Sequence, residues 1–311
     1  MADVVGGCPP TTGPLDAAET PGPWQHRHVA ANGARFHVAQ AGPTDGRLVV
    51  LLHGFPEFWW SWREQLVPLA EGGFRAVAMD LRGYGGSDKT PNGYDPVTLA
   101  QDVSGVVKAL GAREAVLVGH GWGGYFGWAT SALHPREVSA LCAVSAPHPL
   151  AMLGALRDGG TVALRHLLAM QVPMWPERRL ARGDLLAAHL ASWSAPASTF
   201  PTDSDVATYQ RAMGIWPAPH CALEYHRWLV RSRLRQDGRR FGRLMRTPIE
   251  QPVCCVTGGE DRVVSVSAVE RSRRWTGPDL VHHVMAGVGH FPHEEDPPRF
   301  TDLLLAWLRQ V

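Results

Sequence analysis

The sequence predicts an α/β protein whose central β-sheet is mostly parallel and carries helices on both of its faces. Short apolar runs of strand length alternate along the chain with segments of helical period. Strands buried on both faces read as continuous apolar runs, and their alternation with helices is typical of parallel sheets. A chain of 311 residues with 45% hydrophobic residues can bury one large core and carry an insertion.

The predicted strands and helices follow one another in a regular order. Between His26 and Ala41, polar and apolar residues alternate around Asn32-Gly33, a dipeptide that favours a two-residue hairpin turn. Apolar runs predict six further strands, at Leu48 to Leu52, Arg75 to Met79, Ala115 to Val118, Leu141 to Val144, Val253 to Val256 and Leu280 to Val284. Helices are predicted near Pro96 to Leu110, Trp122 to Leu133, Val266 to Trp275 and Pro298 to Arg309.

The alternation is interrupted between about residues 149 and 246, where segments rich in leucine and tryptophan contain no convincing strand. We therefore predict a loose N-terminal arm at 1–22, a core formed by 23–148 and 247–311, and a helical cap, or lid, at 149–246. The arm has acidic residues and Pro/Gly pairs where a signal peptide needs a basic start and an apolar stretch.

Composition restricts the partners of the protein. The formal net charge of +1 provides no long-range attraction to nucleic acid or anionic lipid, so a small-molecule substrate is the expected ligand and a homodimer is left open. No apolar run approaches the roughly 18 residues of a membrane span. We therefore expect a soluble, cytoplasmic protein. Its thiols are expected to be reduced, because the five cysteines lack metal-ligand spacing: Cys8, Cys142, Cys221, Cys254 and Cys255.

Five loop segments are expected to meet at one edge of the sheet. In an open parallel sheet, ligands bind beyond the carboxyl ends of the strands. The segments that follow predicted strands are His53 to Glu57, Asp80 to Gly85, Val118 to Gly124, Thr257 to Asp261 and Gly287 to Phe291. Candidate reactive residues are therefore sought in these loops.

The segment Val118 to Gly124, Val-Gly-His-Gly-Trp-Gly-Gly, has the pattern of a nucleophile elbow, a sharp strand-to-helix turn with a reactive side chain at its apex. The glycines at 119, 123 and 124 suit the close approach of two backbone segments. The apex residue is Gly121, which has no attacking atom. The sequence thus predicts the machinery of covalent hydrolysis without its nucleophile.

These motifs resemble those of the α/β-hydrolase superfamily and, within it, of the epoxide hydrolases. HGFPE, DLRGYGGSD, GHxWGG, a Gly-x-x-Asp and a late Gly-His occur in the family's order, and the resemblance covers nearly the whole chain from about Pro23 onward. It implies the α/β-hydrolase fold, with a mostly parallel eight-stranded sheet, helices on both faces and an inserted helical cap. It also implies that an aspartate at position 121 would attack an epoxide carbon and form an ester that activated water hydrolyses.

The resemblance assigns the proton-transfer roles to two residues near the C-terminus. His290 would be the general base, because an imidazole titrates near neutral pH. Asp261 would hold its far ring nitrogen and so set the tautomer. Glu260 is a rival for that role, but the Gly-x-x-Asp spacing from Gly258 selects Asp261.

Two backbone amides are expected to form an oxyanion hole. They belong to Phe55, after the His-Gly pair, and to Trp122, after the elbow apex. The resemblance also implies a cis Phe55–Pro56 peptide bond, which would turn the first amide inward. The alternative is a plain tight turn without a binding role.

Epoxide hydrolases of this type use two lid tyrosines as donors to the epoxide oxygen. In the segment that resembles the second lid motif, the tyrosine position holds His226, and Tyr225 precedes it. Adjacent residues lie about 100° apart on a helix, so Tyr225 could serve only if the helix rotated. For the first position we expect Trp175, whose indole N–H is a donor, with an apolar wall as the alternative reading and Tyr209 as a weaker candidate.

Gly121 leaves three hypotheses for the function. In the first, the His290–Asp261 pair drives direct attack by water, or another proton-transfer step, on a bulky, mostly apolar epoxide or a related small molecule, without a covalent intermediate. In the second, the chain is a nucleophile-deleted form of an ordinary epoxide hydrolase. In the third, it is a non-catalytic protein that binds small molecules. Neither a metal nor an organic cofactor is expected.

A dehalogenase-type relative is the nearest enzymatic alternative, because it shares the fold, the aspartate route and the histidine. Its fluoroacetate-type members carry arginines beside the nucleophile to hold a carboxylate. Here the elbow is flanked by Trp122 and Tyr125, which favours a neutral, apolar substrate.

Overall fold

The computed structural model describes residues 18–152, 161–277 and 280–311. Eight strands in these ranges form one sheet: β1 Gln25–Ala31, β2 Ala34–Ala41, β3 Leu48–Leu52, β4 Arg75–Met79, β5 Ala115–His120, β6 Val138–Val144, β7 Val253–Gly258 and β8 Leu280–Met285. Their order across the sheet is β1-β2-β4-β3-β5-β6-β7-β8. Only the two pairs formed by β2 are antiparallel among these strands. The predicted mostly parallel sheet is confirmed.

Twelve α-helices lie within the same ranges. They are α1 Arg63–Glu71, α2 Pro96–Ala109, α3 Trp122–Leu133, α4 Thr161–Ala169, α5 Trp175–Arg182, α6 Asp184–Trp193, α7 Asp203–Met213, α8 Ala218–Arg231, α9 Gln236–Leu244, α10 Val266–Glu270, α11 Pro292–Glu295 and α12 Pro297–Leu308. Short 3-10 segments are Trp59–Trp62, Pro135–Glu137, Ser232–Leu234 and Arg271–Trp275. No helix among the described residues is both long and apolar enough to cross a membrane.

Most predicted elements end within a few residues of the observed ones. The bounds of β3, β4 and α3 agree with the prediction, and the hairpin turns at Asn32 and Gly33, both with positive φ. The helix predicted at Val266 to Trp275 continues after Glu270 as a 3-10 turn. Helix α1 was missed; it contains Pro68, which interrupts the helical pattern that the sequence analysis relied on.

The sheet is covered on both faces. All five residues of β3 are buried, and so are all six of β5. Since successive side chains of a strand point to opposite faces, this burial requires apolar cover above and below. Cys142 lies on β6, and Cys254 and Cys255 lie on β7, all as free, buried thiols, while Cys8 falls outside the described residues.

The segment between β6 and β7 contributes helices α4 to α9, and its described residues hold no strand of the sheet. A buried ionic cluster joins it to the rest of the chain. Arg63 lies 2.8 Å from Glu294 and 3.4 Å from Asp205 of α7. Tyr209, also of α7, donates a hydrogen bond to Glu294. Helices from both parts of the chain therefore meet around one buried carboxyl group.

We predict that Glu294 makes the protein less stable as the pH rises. Burial raises the pKa of Glu294 to about 7, against an ordinary value of 4.5. The neutral form is thus favoured on folding, and the associated stability, complete below pH 4.5, is lost as the pH rises through 7. The unfolding free energy of the parent chain should therefore fall between pH 5 and 8. In Glu294→Gln, this fall should be smaller by about 1 to 3 kcal/mol.

Urea unfolding at several pH values measures this difference. Glu64→Gln is the matched control, because Glu64 also faces Arg63 but its side chain is 51% exposed. An unchanged pH slope in Glu294→Gln would contradict the prediction.

Candidate active site

The turn between β5 and α3 is shaped by glycines that leave no room for side chains. A Cβ on Gly123 would lie 2.2 Å from the Leu52 carbonyl oxygen, and one on Gly119 would lie 2.5 Å from the backbone of Gly123. At the apex, Gly121 has φ 51° and ψ −114°, in the region that favours glycine. Its surroundings are open, since a Cβ there would meet nothing closer than 3.6 Å.

The imidazole of His290 faces this apex. His290 Nδ1 lies 2.9 Å from Asp261 Oδ2, and the Asp261 carboxylate is fully buried. Because the carboxylate is an acceptor, Nδ1 carries the proton and Nε2 presents a lone pair. Nε2 is 3.9 Å from the position that a Cβ on Gly121 would occupy. The structure thus brings together the three residues predicted at the centre of the site.

Asp261 is held in place by the loop that carries it. Its Oδ1 accepts hydrogen bonds from the amides of Val263 and Val264, at 2.8 and 2.9 Å. The rival residue, Glu260, has an exposed side chain. Asp261 is therefore the carboxylate that contacts His290, in agreement with the motif spacing.

The two predicted oxyanion-hole residues border the same space. Phe55 and Trp122 line one cavity together with Gly121 and His290. Neither backbone amide donates a hydrogen bond to another group of the described chain. The Phe55–Pro56 peptide bond is cis, as the resemblance implies. Two free donors are therefore available beside the apex, which is the arrangement that stabilises a developing oxyanion.

A buried Glu57–His120 pair lies beneath the apex. Glu57 Oε2 is 2.8 Å from His120 Nδ1 and accepts from the Gly54 amide at 2.8 Å. His120 Nε2 lies 2.9 Å from the His290 carbonyl oxygen, so both ring nitrogens face acceptors. Burial favours the neutral imidazole, but Glu57 outweighs it and raises the pKa of His120. His120 does not line the cavity.

The cavity above the apex has a volume of about 440 Å³. Aromatic and apolar side chains form much of its wall, which includes Phe55, Trp122, Tyr125, Met152, Leu167, Trp193 and Leu229. His166, Trp193 and His226 come from helices between β6 and β7. Such a wall suits a mostly apolar ligand with a few polar groups.

His226 lies in the cavity wall, where the family's lid donor is expected, but it has no donor to offer. Its Nδ1 is 3.0 Å from the Ala222 carbonyl oxygen, which can only accept, so Nδ1 carries the proton. Its Nε2 accepts from the Trp122 indole N–H at 3.1 Å. Burial lowers the pKa of His226 to about 3, which keeps the ring neutral. Its proton is therefore engaged away from the ligand.

Two other lid predictions require correction. The Tyr225 hydroxyl donates to the Arg82 carbonyl oxygen at 2.6 Å and does not line the cavity, because the helix presents His226 to it instead. Trp175 is 46% exposed, lies beside Arg179 and is outside the cavity wall, so its indole cannot serve as the first lid donor. The hydroxyl of the weaker candidate, Tyr209, donates its hydrogen bond to Glu294, and Tyr209 does not line the cavity.

Sequence reasoning missed two features of the cavity. His166 Nδ1 lies 2.8 Å from His189 Nε2, and His189 Nδ1 lies near the Leu185 carbonyl oxygen. No motif signals this pairing, because it depends on how α4 packs on α6. Tyr125 was considered only as a flank of the elbow; it follows Gly121 by four residues on α3, and that helical spacing could have placed it on the cavity.

The sequence pattern of the alpha/beta hydrolase fold family matches residues 47–297. An AB hydrolase superfamily protein, YfhM of Bacillus subtilis, is 32% identical over 289 residues, which are 90% of this chain and 96% of the relative. Epoxide hydrolase 3 of Xenopus tropicalis is 38% identical over 166 residues, 51% of this chain and 45% of that protein. Epoxide hydrolase B of Mycobacterium tuberculosis is 44% identical over 126 residues, 39% of this chain and 35% of that protein.

Among solved structures, an epoxide hydrolase from an endophytic Streptomyces superimposes with a TM-score of 0.79 at 29% identity. The superposition covers 92% of this chain and 96% of that one. The sequence alignments to the two curated epoxide hydrolases, in contrast, span less than half of either relative. The structural likeness therefore extends over both the core and the segment between β6 and β7.

We predict that alanine substitutions at two glycines of the turn differ in how much they destabilise the fold. Gly123→Ala should lower the unfolding free energy by about 3 kcal/mol or more, because its Cβ would collide with the Leu52 backbone. Gly121→Ala should cost less, about 1 to 2 kcal/mol, from the strained backbone conformation alone, because the space around the apex is open. Urea unfolding of both variants tests this, and equal losses would contradict it.

Proposed function

This chain belongs to the alpha/beta hydrolase fold family, and we propose that it adds water to a bulky, mostly apolar epoxide or a related small molecule. Its similarity to named epoxide hydrolases makes it an epoxide-hydrolase-like member of the family. One observation carries the proposal: the unprotonated nitrogen of His290, held by Asp261, faces a turn apex that has no side chain.

The proposed reaction is direct attack by water. A water molecule beside Gly121 gives a proton to His290 Nε2, and its oxygen forms a bond to one epoxide carbon. The bond from that carbon to the epoxide oxygen breaks, and the oxygen leaves with the electron pair. Asp261 stabilises the imidazolium that forms, as in other histidine–carboxylate pairs. After the second oxygen is protonated, the product is a diol.

Gly121 supports this route over the covalent one. An aspartate at position 121 would project from an apex whose Cβ position is 3.9 Å from His290 Nε2. With glycine, that position holds no carboxylate that could form an ester with the substrate. The open space and the free amides of Phe55 and Trp122 suit a water molecule instead.

The cavity supports the proposed substrate class. Its lining is dominated by aromatic and aliphatic side chains, and Trp122 and Tyr125 flank the elbow. Two arginines, Arg262 and Arg271, line the cavity, and both are exposed. Neither flanks the elbow as the arginines of fluoroacetate-type dehalogenases do, so a carboxylate substrate of the dehalogenase type is less well supported.

We expect His290→Gln to lower the rate of epoxide hydration by about 10² to 10⁴-fold, because it removes the base. His220→Gln is the matched control, since His220 is 49% exposed and outside the cavity wall. Turnover is followed by mass spectrometry of diols from a panel of aryl and alkyl epoxides. The proposal would be contradicted if His290→Gln hydrated epoxides as fast as the parent chain and the His220→Gln control.

Oxygen labelling separates direct attack from a covalent route. In a single turnover in ¹⁸O water, direct attack places the label in the first diol formed. An enzyme carboxylate that attacked first would deliver unlabelled oxygen to that diol. Unlabelled product would therefore overturn the direct-attack mechanism while leaving epoxide hydrolysis intact.

Gly121→Asp tests whether the site retains the family's covalent chemistry. At φ 51° and ψ −114° the apex is strained for a residue with a Cβ, but a Cβ there would meet nothing closer than 3.6 Å. We expect the variant to hydrate epoxides at least about 10²-fold faster than the parent chain, through an ester that mass spectrometry of the protein detects. Failure of both chains across the epoxide panel, with ligand binding preserved, would favour a non-catalytic binding protein.

A further inference from the structure

The proposed hydration needs a group that gives a proton to the epoxide oxygen. In the cavity wall, His226 uses its proton on the Ala222 carbonyl, and the indole of the core residue Trp122 uses its proton on His226. The indole N–H of Trp193 can hydrogen-bond to an oxygen but does not give up its proton. Backbone amides can hold a negative oxygen but do not give up a proton to it. A side-chain hydroxyl is therefore required elsewhere in the wall.

Tyr125 places such a hydroxyl group in the cavity wall. It lies one helical turn after Gly121, and its amide donates to the Gly121 carbonyl at 2.9 Å. Residues four apart lie on one face of a helix, so the Tyr125 side chain projects from the same face as the apex. It lines the cavity with a side chain that is 4% exposed. No hydrogen bond of its hydroxyl to another described residue is formed.

The other hydroxyl groups are used or shut away. The sequence has five tyrosines, and three of the other four donate to protein acceptors, namely Tyr94 to Thr90, Tyr209 to Glu294 and Tyr225 to Arg82. Tyr84 has a buried hydroxyl without a partner but lies outside the cavity wall. Three serines also line the cavity: Ser145, Ser265 and Ser267. The Ser145 hydroxyl oxygen is enclosed, whereas that of Tyr125 is not. The hydroxyls of Ser265 and Ser267 lie 3.1 Å apart and bond to each other.

The surroundings of Tyr125 keep its phenol protonated. Its ring packs against Trp122, Phe126 and Phe241, with centroid distances of 5.4, 5.8 and 6.0 Å. Burial raises the pKa of Tyr125, and no hydrogen bond or neighbouring charge opposes this shift. The hydroxyl is thus a neutral donor throughout the pH range in which His290 can act as a base.

We infer that Tyr125, on the core helix after the elbow, donates its hydroxyl proton to the epoxide oxygen in place of a lid residue. This inference rests on the proposed function. As water attacks the carbon, the breaking C–O bond leaves an alkoxide, which takes the Tyr125 proton and becomes a hydroxyl. The tyrosinate recovers a proton from protonated His290 by way of solvent or the product. The sum is one water consumed and one diol formed, with both residues restored.

Binding of two matched ligands tests this role without requiring turnover. Styrene oxide contains the acceptor oxygen, and phenylcyclopropane has nearly the same shape with CH₂ in its place. Fluorescence titration is possible because Trp122 and Trp193 line the cavity. The parent chain should bind the epoxide about 3- to 10-fold more tightly than the cyclopropane, the usual effect of one net hydrogen bond.

Tyr125→Phe should abolish this preference and leave the affinity for phenylcyclopropane unchanged. Tyr94→Phe, which removes a hydroxyl outside the cavity wall, should retain the preference. A preference that survives in Tyr125→Phe, or an equal loss of affinity for both ligands, would overturn the inference. The same fluorescence titration with the His290→Gln variant, whose turnover is expected to be slow, measures binding of the two ligands without product formation.

Kinetics distinguish failure of this inference from failure of the proposed function. If the parent chain hydrates epoxides, Tyr125→Phe should lower kcat/KM by about 10²-fold or more, mainly through kcat. Turnover that persists in Tyr125→Phe at the parental rate refutes the donor role alone. Loss of the ligand preference in Tyr125→Phe with no turnover by any chain refutes the hydrolase and retains Tyr125 as a binding donor.

Discussion

The buried Glu57–His120 pair is the interaction on which the geometry of the site depends. Glu57 receives the Gly54 amide and one nitrogen of His120, while the other nitrogen of His120 faces the His290 carbonyl. One ion pair thereby joins the loop after β3, the end of β5 and the loop that carries His290. His120 and His293 lower the pKa of Glu57 well below its ordinary value, against the opposing effect of burial, so the carboxylate stays charged.

Much of the fold could be predicted from the sequence, because buried parallel strands are read directly from apolar runs. The core residues His290, Asp261 and Gly121 were also found, since each follows a strand whose position the sheet determines. The lid could not be predicted in the same way. Whether His226 or Tyr225 faces the cavity depends on the rotation of α8, and helix rotation is decided by packing rather than by a local motif.

In two histidines of the site, contact with an acceptor decides which ring nitrogen carries the proton. Asp261 and the Ala222 carbonyl are pure acceptors, so each forces the proton onto Nδ1 of the histidine beside it, His290 and His226 respectively. The remaining nitrogen of each ring can only accept. These two imidazoles therefore present lone pairs, whereas His120, whose two nitrogens both face acceptors, does not. In the proposed reaction, the acid and base functions are accordingly divided between a phenol and an imidazole.

The loop that carries His290 is bonded to the segment between β6 and β7. The His290 amide donates to the Trp193 carbonyl at 2.9 Å, and Glu295 accepts from the amides of both Gly289 and Ala195. Any outward motion of the end of α6 must therefore break these bonds or shift the imidazole. The distance between His290 and the apex is thus coupled to the position of α6.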